Sequence, residues 1–128
     1  MKFYIAGKWE EREIVRQYAD AISALGYTVS YPWFTRHTGT TPLDIAAGED
    51  LEGVRDANFC VFVYERQLAY AGAFAELGAA LAYGRQIYII GDAGNRCVFA
   101  HHPMVVHVPS LSALLELLAR RAAPSTRD

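Results

Sequence analysis

One glutamate, Glu76, stands out as a candidate for chemistry because it lies in a segment of otherwise small or apolar residues. Glu76 lies within residues 70–84, where nearly every other position is Gly, Ala, Leu, Phe or Tyr. Ala and Leu favour a helix, and Gly84 stands where helices commonly end. One turn before and after Glu76 there is only Gly or Ala, so no cation on this helix neutralises it. A lone carboxylate in such a setting is typical of a functional group, although Glu76 on a solvent-facing side is the plain alternative.

Most other familiar kinds of site have no support in the sequence. There is no phosphate-binding G-x-x-x-x-G-K-[ST] motif, no G-x-G-x-x-G dinucleotide motif and no G-x-S-x-G nucleophile motif. Cys60 and Cys97 form no C-x-x-C pair, and the four histidines lack the spacing of metal ligands. We therefore predict reduced thiols, no metal and no organic cofactor, which leaves carboxylate chemistry.

Length and charge limit the class of protein and of partner. With 128 residues and 14.2 kDa, the chain suits one domain, predicted over residues 1–122 with a frayed tail at 123–128. A net charge of −2 argues against electrostatic binding of nucleic acid or an anionic membrane over a broad surface, and favours a small-molecule ligand. No apolar run reaches the roughly 20 residues of a transmembrane helix, and the N-terminus lacks the order of a signal peptide, so we expect a cytoplasmic protein.

The pattern of apolar residues predicts strands and helices in alternation. Short β-prone runs predict five strands, and amphipathic or Ala-rich runs predict helices between and after them. The predicted strands are residues 2–6, 27–31, 58–64, 86–90 and 104–108, and the predicted helices are about 10–25, 42–57, 71–82 and from 110 onward. This order predicts an α/β fold with a doubly wound, mainly parallel five-stranded sheet, a three-layer sandwich of the flavodoxin-like or Rossmann-like kind.

In such a sheet the ligand crevice lies at the carboxyl ends of the strands. We therefore expect four loops to lie close together: residues 7–9, 32–34 and 65–70, and the loop that begins at residue 91. We also expect the Glu76 side chain to face this crevice. The rule does not place Asp50, which lies in the helix that leads to the third strand. Trp33 and Phe34 form either an aromatic roof for a base or a cap on the core, and the loop at 33–41 is either a cover or a simple connector.

Three segments together resemble the nucleoside 2-deoxyribosyltransferase superfamily, which also includes N-glycosidases of deoxynucleoside monophosphates. They are residues 4–9 (Tyr-Ile-Ala-Gly-Lys-Trp), 50–58 (Asp-Leu-Glu-Gly-Val-Arg-Asp-Ala-Asn) and 72–84, and the resemblance covers roughly residues 2–90. It implies that Glu76 is a nucleophile that attacks the anomeric carbon of the sugar, that Asp50 contacts and protonates the leaving base, and that Tyr4 orients the nucleophile. We expect the helix dipole to keep Glu76 ionised.

The resemblance also suggests which residues bind substrate and how the chain assembles. The expected substrate-binding residues are Gly7, Lys8, Trp9, Trp33, Tyr70 and Gly72. Lys8 and Arg66 are either phosphate ligands or ordinary surface charges. Family members lend residues across a subunit interface, so a homodimer or a higher homo-oligomer is expected.

One position departs from the family pattern. Six residues before the glutamate, the transferases carry an aspartate and the monophosphate glycosidases a serine, whereas this chain has Tyr70. The expected activity is therefore cleavage or exchange of an N-glycosidic bond of a nucleoside or nucleotide, with water or a second base as acceptor. The alternatives are a non-catalytic nucleotide-binding or sensor domain and an NAD-cleaving glycohydrolase.

Overall fold

A computed structural model describes residues 1–66 and 70–122 of the chain. The predicted tail at 123–128 lies outside the described residues, as does part of the predicted loop at 65–70. In the part of the chain that is described, no helix has the length and apolar character needed to span a lipid bilayer.

Five parallel strands form one sheet in the order β2-β1-β3-β4-β5. The strands are β1 Lys2–Ala6, β2 Thr28–Val29, β3 Phe59–Val63, β4 Gln86–Ile90 and β5 Val105–Val108. The central strand β3 is buried along its whole length, as expected of an unbroken apolar run that is covered on both faces. The direction in which strands are added to the sheet reverses between β1 and β3, and this reversal creates the crevice.

Five α-helices connect and cover these strands. They are α1 Arg12–Ser23, α2 Trp33–Arg36, α3 Leu43–Asp56, α4 Ala71–Ala82 and α5 Leu111–Ala122. Helix α1 contacts α5, and α3 contacts α4, so the helices form two layers with the sheet between them. Helix α4 ends before Gly84, whose φ of 70° is a left-handed conformation that glycine adopts without strain. The predicted doubly wound α/β fold is confirmed.

Two local predictions were wrong. Strand β2 contains only Thr28 and Val29 rather than residues 27–31, because the chain bends toward α3, where the Ser30 hydroxyl donates to the Gly53 carbonyl at 2.7 Å. The predicted loop at 33–41 begins with helix α2, because the Pro32 carbonyl accepts the amide hydrogens of Thr35 and Arg36 at 3.0 Å each.

Candidate active site

A cavity of about 480 Å³ opens at the carboxyl ends of β1 and β3, where the strand order reverses. Its volume lies in the range of small-molecule sites. Three segments supply its walls: residues 7–10 after β1, residues between 33 and 50 from α2 to α3, and residues 70–76 at the beginning of α4.

The structure brings nearly all of the sequence-predicted site residues to this one cavity. Those that line it are Gly7, Lys8, Trp9, Trp33, Asp50, Tyr70, Gly72 and Glu76. Tyr4 does not line it but lies fully buried beneath it in β1. Arg66 is not part of the lining, so of the two cations considered for phosphate only Lys8 faces the cavity.

The carboxyl group of Glu76 is largely enclosed, and one of its oxygens has no partner. Glu76 Oε2 is buried without a hydrogen bond, and so is the hydroxyl oxygen of Tyr4. Burial raises the pKa of Glu76 to about 8; the nearby Tyr4 hydroxyl opposes this shift, and the charge of Asp50 adds to it. The Tyr4 pKa is raised well above its usual value by burial and by the charges of Glu76 and Asp50.

This electrostatic setting corrects one sequence-based expectation. We expected the helix dipole to keep Glu76 ionised, but the dipole acts mainly within the first turn. Helix α4 begins at Ala71, so Glu76 is its sixth residue and lies beyond that turn. Burial therefore dominates, and it favours the neutral acid.

Asp50 pairs with a histidine that the sequence analysis did not select. The His37 Nε2 and Asp50 Oδ1 atoms are 2.8 Å apart, and their side chains are 9% and 25% exposed. Burial raises the pKa of Asp50, the hydrogen bond and charge of His37 lower it, and the charge of Glu49 raises it. Since His37 precedes Asp50 by 13 residues, no spacing rule joins the two, and only the folded chain brings them together.

A close approach of α3 to the sheet sets the position of Asp50. Gly53, one turn after Asp50, lies so near to β1 that a Cβ atom would come within 2.7 Å of the Tyr31 Cβ and 2.8 Å of the Tyr4 ring. The Tyr31 hydroxyl also donates a hydrogen bond to the Glu49 carboxylate on the same helix. Glycine at residue 53 thus lets α3 approach Tyr4, which itself faces Glu76.

Two tryptophans form an aromatic side of the cavity. The rings of Trp9 and Trp33 are 6.5 Å apart, and the Trp33 indole N–H donates to the Ile5 carbonyl at 2.7 Å. Trp33 is only 6% exposed, and it packs into the core and also lines the cavity. Phe34 packs against the core and is not part of the lining, so only Trp33 stays a candidate for stacking on a base. The Arg12 guanidinium lies 4.4 Å from the centre of the Trp9 ring and supports it by a cation–π contact.

Tyr70 does not fill the cavity. Its hydroxyl donates to Glu11 Oε1 at 3.1 Å and accepts the Arg66 amide hydrogen at 3.3 Å, while its ring packs on Tyr64 with centroids 4.9 Å apart. The hydroxyl is therefore used within the protein, and the ring serves as a wall of the cavity.

Among the described residues there is no group of three or more His, Cys, Asp or Glu side chains arranged to hold a metal ion. Cys60 and Cys97 are both free thiols. Burial and the charge of Glu76 raise the pKa of Cys60 to about 12, and Arg85 lowers it, so this thiol is inert at neutral pH.

Comparison with known proteins identifies the fold. No protein-family model and no curated protein sequence matches the chain. Among solved structures, a 2-deoxyribosyltransferase from the psychrotolerant bacterium Bacillus psychrosaccharolyticus superposes with a TM-score of 0.72 at 16% identity, over 90% of each chain. A CMP N-glycosidase from Clostridium botulinum superposes with a TM-score of 0.66 at 14% identity, over 92% of this chain and 98% of that one. The chain thus has the α/β fold of these two enzymes, as the sequence resemblance predicted.

Proposed function

We propose that this protein cleaves or exchanges the N-glycosidic bond of a nucleoside or nucleotide, with Glu76 as nucleophile. The observation that carries the proposal is the buried, unpartnered Oε2 atom of Glu76 in a cavity that a second carboxyl group, Asp50, also lines. The likeness in fold to a 2-deoxyribosyltransferase and a CMP N-glycosidase supports the same kind of reaction. Carboxyl pairs in distinct environments are typical of glycosidic bond cleavage.

In the first step, the ionised Glu76 attacks C1′ of the sugar. A bond forms between a carboxylate oxygen and C1′, while the bond from C1′ to the base nitrogen breaks and its electron pair leaves with the base. The product is a glycosyl ester on Glu76 and a free base. The Tyr4 hydroxyl, which lowers the pKa of Glu76, stabilises the carboxylate before attack.

The leaving base takes a proton from the pair formed by His37 and Asp50. The two side chains form a hydrogen bond of 2.8 Å, and Asp50 lines the cavity where the base would lie. A proton delivered as the bond breaks neutralises the charge that develops on the base.

In the second step, a water molecule or a second base attacks C1′ of the ester. The bond between C1′ and the Glu76 oxygen breaks, the carboxylate is restored, and the proton lost by the acceptor returns to the Asp50 pair. Water as acceptor gives hydrolysis, and a base as acceptor gives glycosyl transfer.

The test is a chromatographic assay of free base released from nucleosides, deoxynucleosides, their 5′-monophosphates and NAD. We expect release from at least one nucleoside or nucleotide, and a loss of roughly three orders of magnitude or more in Glu76→Gln. Glu13→Gln, the same change at an exposed position of α1, is the matched control and should retain full activity.

Three outcomes decide among the alternatives. Release that survives Glu76→Gln would exclude Glu76 as nucleophile. Release from NAD alone would favour a glycohydrolase of that dinucleotide. If no compound releases base but one of them raises the melting temperature, the chain is a nucleotide-binding domain and the proposed reaction is wrong.

A further inference from the structure

The hydroxyl group of Tyr70 makes contacts that a substrate ligand would not need. Tyr70 is the residue immediately before α4, and its carbonyl accepts the Phe74 amide hydrogen at 2.8 Å, so it starts the first turn of that helix. Its side chain is 2% exposed, and its hydroxyl donates to Glu11 across 59 residues of sequence. The side chain thus ties the beginning of α4 to the beginning of α1.

Glu11 is an unusual partner for this hydroxyl because it is itself buried. It is 2% exposed and is the one buried charged or polar residue in the described ranges 1–66 and 70–122. A buried carboxylate without hydrogen bonds is strongly destabilising, so its contact with Tyr70 constrains both partners. Burial raises the pKa of Tyr70 the most, and the contact with Glu11 raises it further. The hydroxyl therefore stays protonated and acts as a hydrogen-bond donor.

The first turns of α4 carry the groups that the proposed reaction needs. Residues 70–73 and Glu76 line the cavity, and Glu76 lies fewer than two turns from Tyr70. Two hydrogen bonds tie the beginning of α4 to the rest of the protein: the Tyr64 hydroxyl donates to the Ala73 carbonyl at 3.0 Å, and the Tyr70 hydroxyl donates to Glu11 at 3.1 Å. The Tyr70 side chain makes no capping hydrogen bond to the helix backbone, so its hydroxyl acts on the helix through Glu11.

We propose that Tyr70 and Glu11 form a buried latch that positions the first turns of α4, and through them Glu76. Tyr70 is then a positioning residue and not a ligand of the sugar. This role differs from the substrate-binding role that the family resemblance implied for residue 70. The inference about Glu76 rests on the proposed function, whereas the latch itself can be tested without any activity.

The first measurement is amide hydrogen exchange in Tyr70→Phe, which removes only the hydroxyl group. We expect the amides of Phe74 and Ala75, in the first turn of α4, to exchange at least about tenfold faster, because the beginning of the helix opens more often. The amides of α5 should exchange at rates within about twofold of wild type.

The matched control is Tyr18→Phe. The Tyr18 hydroxyl donates to Glu65 at 2.6 Å, so it also joins α1 to the segment that follows β3. Glu65 is exposed, however, and water replaces the lost donor there. We expect exchange at Phe74 and Ala75 to remain at the wild-type rate in this variant.

A double variant separates positioning from a merely structural role. In Tyr70→Phe/Glu11→Met both polar partners are gone, so no carboxylate is left buried and unpaired, and the melting temperature should return close to the wild-type value. If the latch positions α4, fast exchange at Phe74 and Ala75 persists in the double variant even though its overall stability is restored. This variant also carries the test if Tyr70→Phe alone does not fold.

Kinetics connect the latch to the reaction. In both latch variants we expect kcat to fall about tenfold or more while KM stays within about threefold, because a misplaced nucleophile slows chemistry more than it weakens binding. If the wild-type protein proves inactive, the proposed function fails but the exchange experiment still decides the latch.

Three results would overturn the inference. The first is unchanged exchange at Phe74 and Ala75 in Tyr70→Phe. The second is a double variant that recovers exchange and kcat together with stability. The third is a rise in KM at constant kcat and constant exchange, which would make Tyr70 a direct substrate ligand.

Discussion

Glu76 has to satisfy two opposing demands. A nucleophile must be ionised, yet burial raises the pKa of this carboxyl group to about 8, so the resting site holds mostly the neutral acid at pH 7. The Tyr4 hydroxyl opposes the shift, so a fraction of Glu76 is ionised near neutral pH. Two measurable consequences follow, one for stability and one for activity.

The first prediction concerns stability as a function of pH. Between the unfolded pKa near 4.5 and the folded pKa near 8, the folded protein holds a proton that the unfolded chain has lost, so Glu76 makes stability fall as pH rises through this window. In Glu76→Gln this loss is absent. At about 1.36 kcal/mol per pKa unit, we expect the variant to match wild type near pH 4.5 and to exceed it by up to about 5 kcal/mol at pH 9. Urea unfolding across this range measures the difference, and a constant difference would refute the assigned pKa.

The second prediction concerns the rate of base release. Because only the ionised fraction of Glu76 attacks, log kcat/KM should rise with a slope near one below pH 8 and reach a plateau above it. A rate profile measured from pH 6 to pH 9 tests this. A flat profile over that range would mean that no nucleophile titrates near pH 8, which would contradict the pKa assigned to Glu76.

The third prediction concerns the proton donor. Asp50→Asn removes the acid that lines the cavity but leaves an amide of the same shape beside His37, so kcat should fall by about 10² to 10⁴. The loss should shrink for substrates whose leaving base is already activated, such as a 7-methylated purine, because these need no proton. An equal loss with both kinds of substrate would argue for a binding role of Asp50.

At this scale the sequence predicted residue types better than partners. Glu76 is noticeable because its helical neighbours are small and uncharged. By contrast, the partners of Asp50 and Tyr70 are 13 and 59 residues away, and no local pattern relates such pairs. Only the folded chain reveals that His37 belongs to the site and that the Tyr70 hydroxyl is turned toward Glu11.

At the scale of elements, the approach of α3 to β1 determines whether the two carboxyl groups share one cavity. The absence of a side chain at Gly53 allows this approach, since any Cβ atom would meet Tyr31 and Tyr4 at less than 3 Å. The same contact holds the Tyr4 ring, whose hydroxyl acts on Glu76. One glycine therefore affects the nucleophile and the acid together.

The fourth prediction follows from this contact. Gly53→Ala should push α3 away from the sheet and lower kcat by about tenfold or more, together with a loss of about 1 to 3 kcal/mol in stability from overpacking. Gly48→Ala is the matched control, because a Cβ at that position of the same helix meets no atom within 4 Å. Equal effects of the two substitutions would point to helix propensity rather than to the close approach.

The elements that the sequence predicted well are those with a strong periodic pattern. The apolar run of β3 and the small-residue run of α4 each extend over several residues, so their types follow from local physics. The errors at β2 and α2 lie in residues 27–41, where contacts with α3 and the Pro32 carbonyl decide the backbone path. The contact of Ser30 with α3 is tertiary, and local propensity does not contain it. The bonds to the Pro32 carbonyl join residues three and four apart, so the error at α2 is a short local helix that the apolar pattern did not indicate.

At the scale of the whole molecule, the elements after α4 belong to the scaffold and contribute no residue to the lining of the cavity. Every residue that lines the cavity falls between Gly7 and Glu76, whereas β4, β5 and α5 complete the sheet and its covering layers. We therefore expect substitutions in these C-terminal elements to change stability without changing binding.

The fifth prediction makes use of this division. Leu114 on α5 is fully buried, and Leu114→Ala should reduce the free energy of unfolding by about 2 to 5 kcal/mol. At a temperature where the variant remains folded, its affinity for a nucleotide ligand should stay within about twofold of wild type. Denaturant titration and calorimetry measure the two quantities, and a parallel loss of affinity would show that the C-terminal elements contribute to the site.

The aromatic side of the cavity has a practical consequence. The sequence contains two tryptophans, Trp9 and Trp33, and both line the same cavity. All of the indole fluorescence of this protein therefore originates at the walls of one cavity, and a base stacked against either ring should quench or shift it. The unlabelled protein thus carries its own optical probe, with which ligand libraries can be screened before any substrate is known.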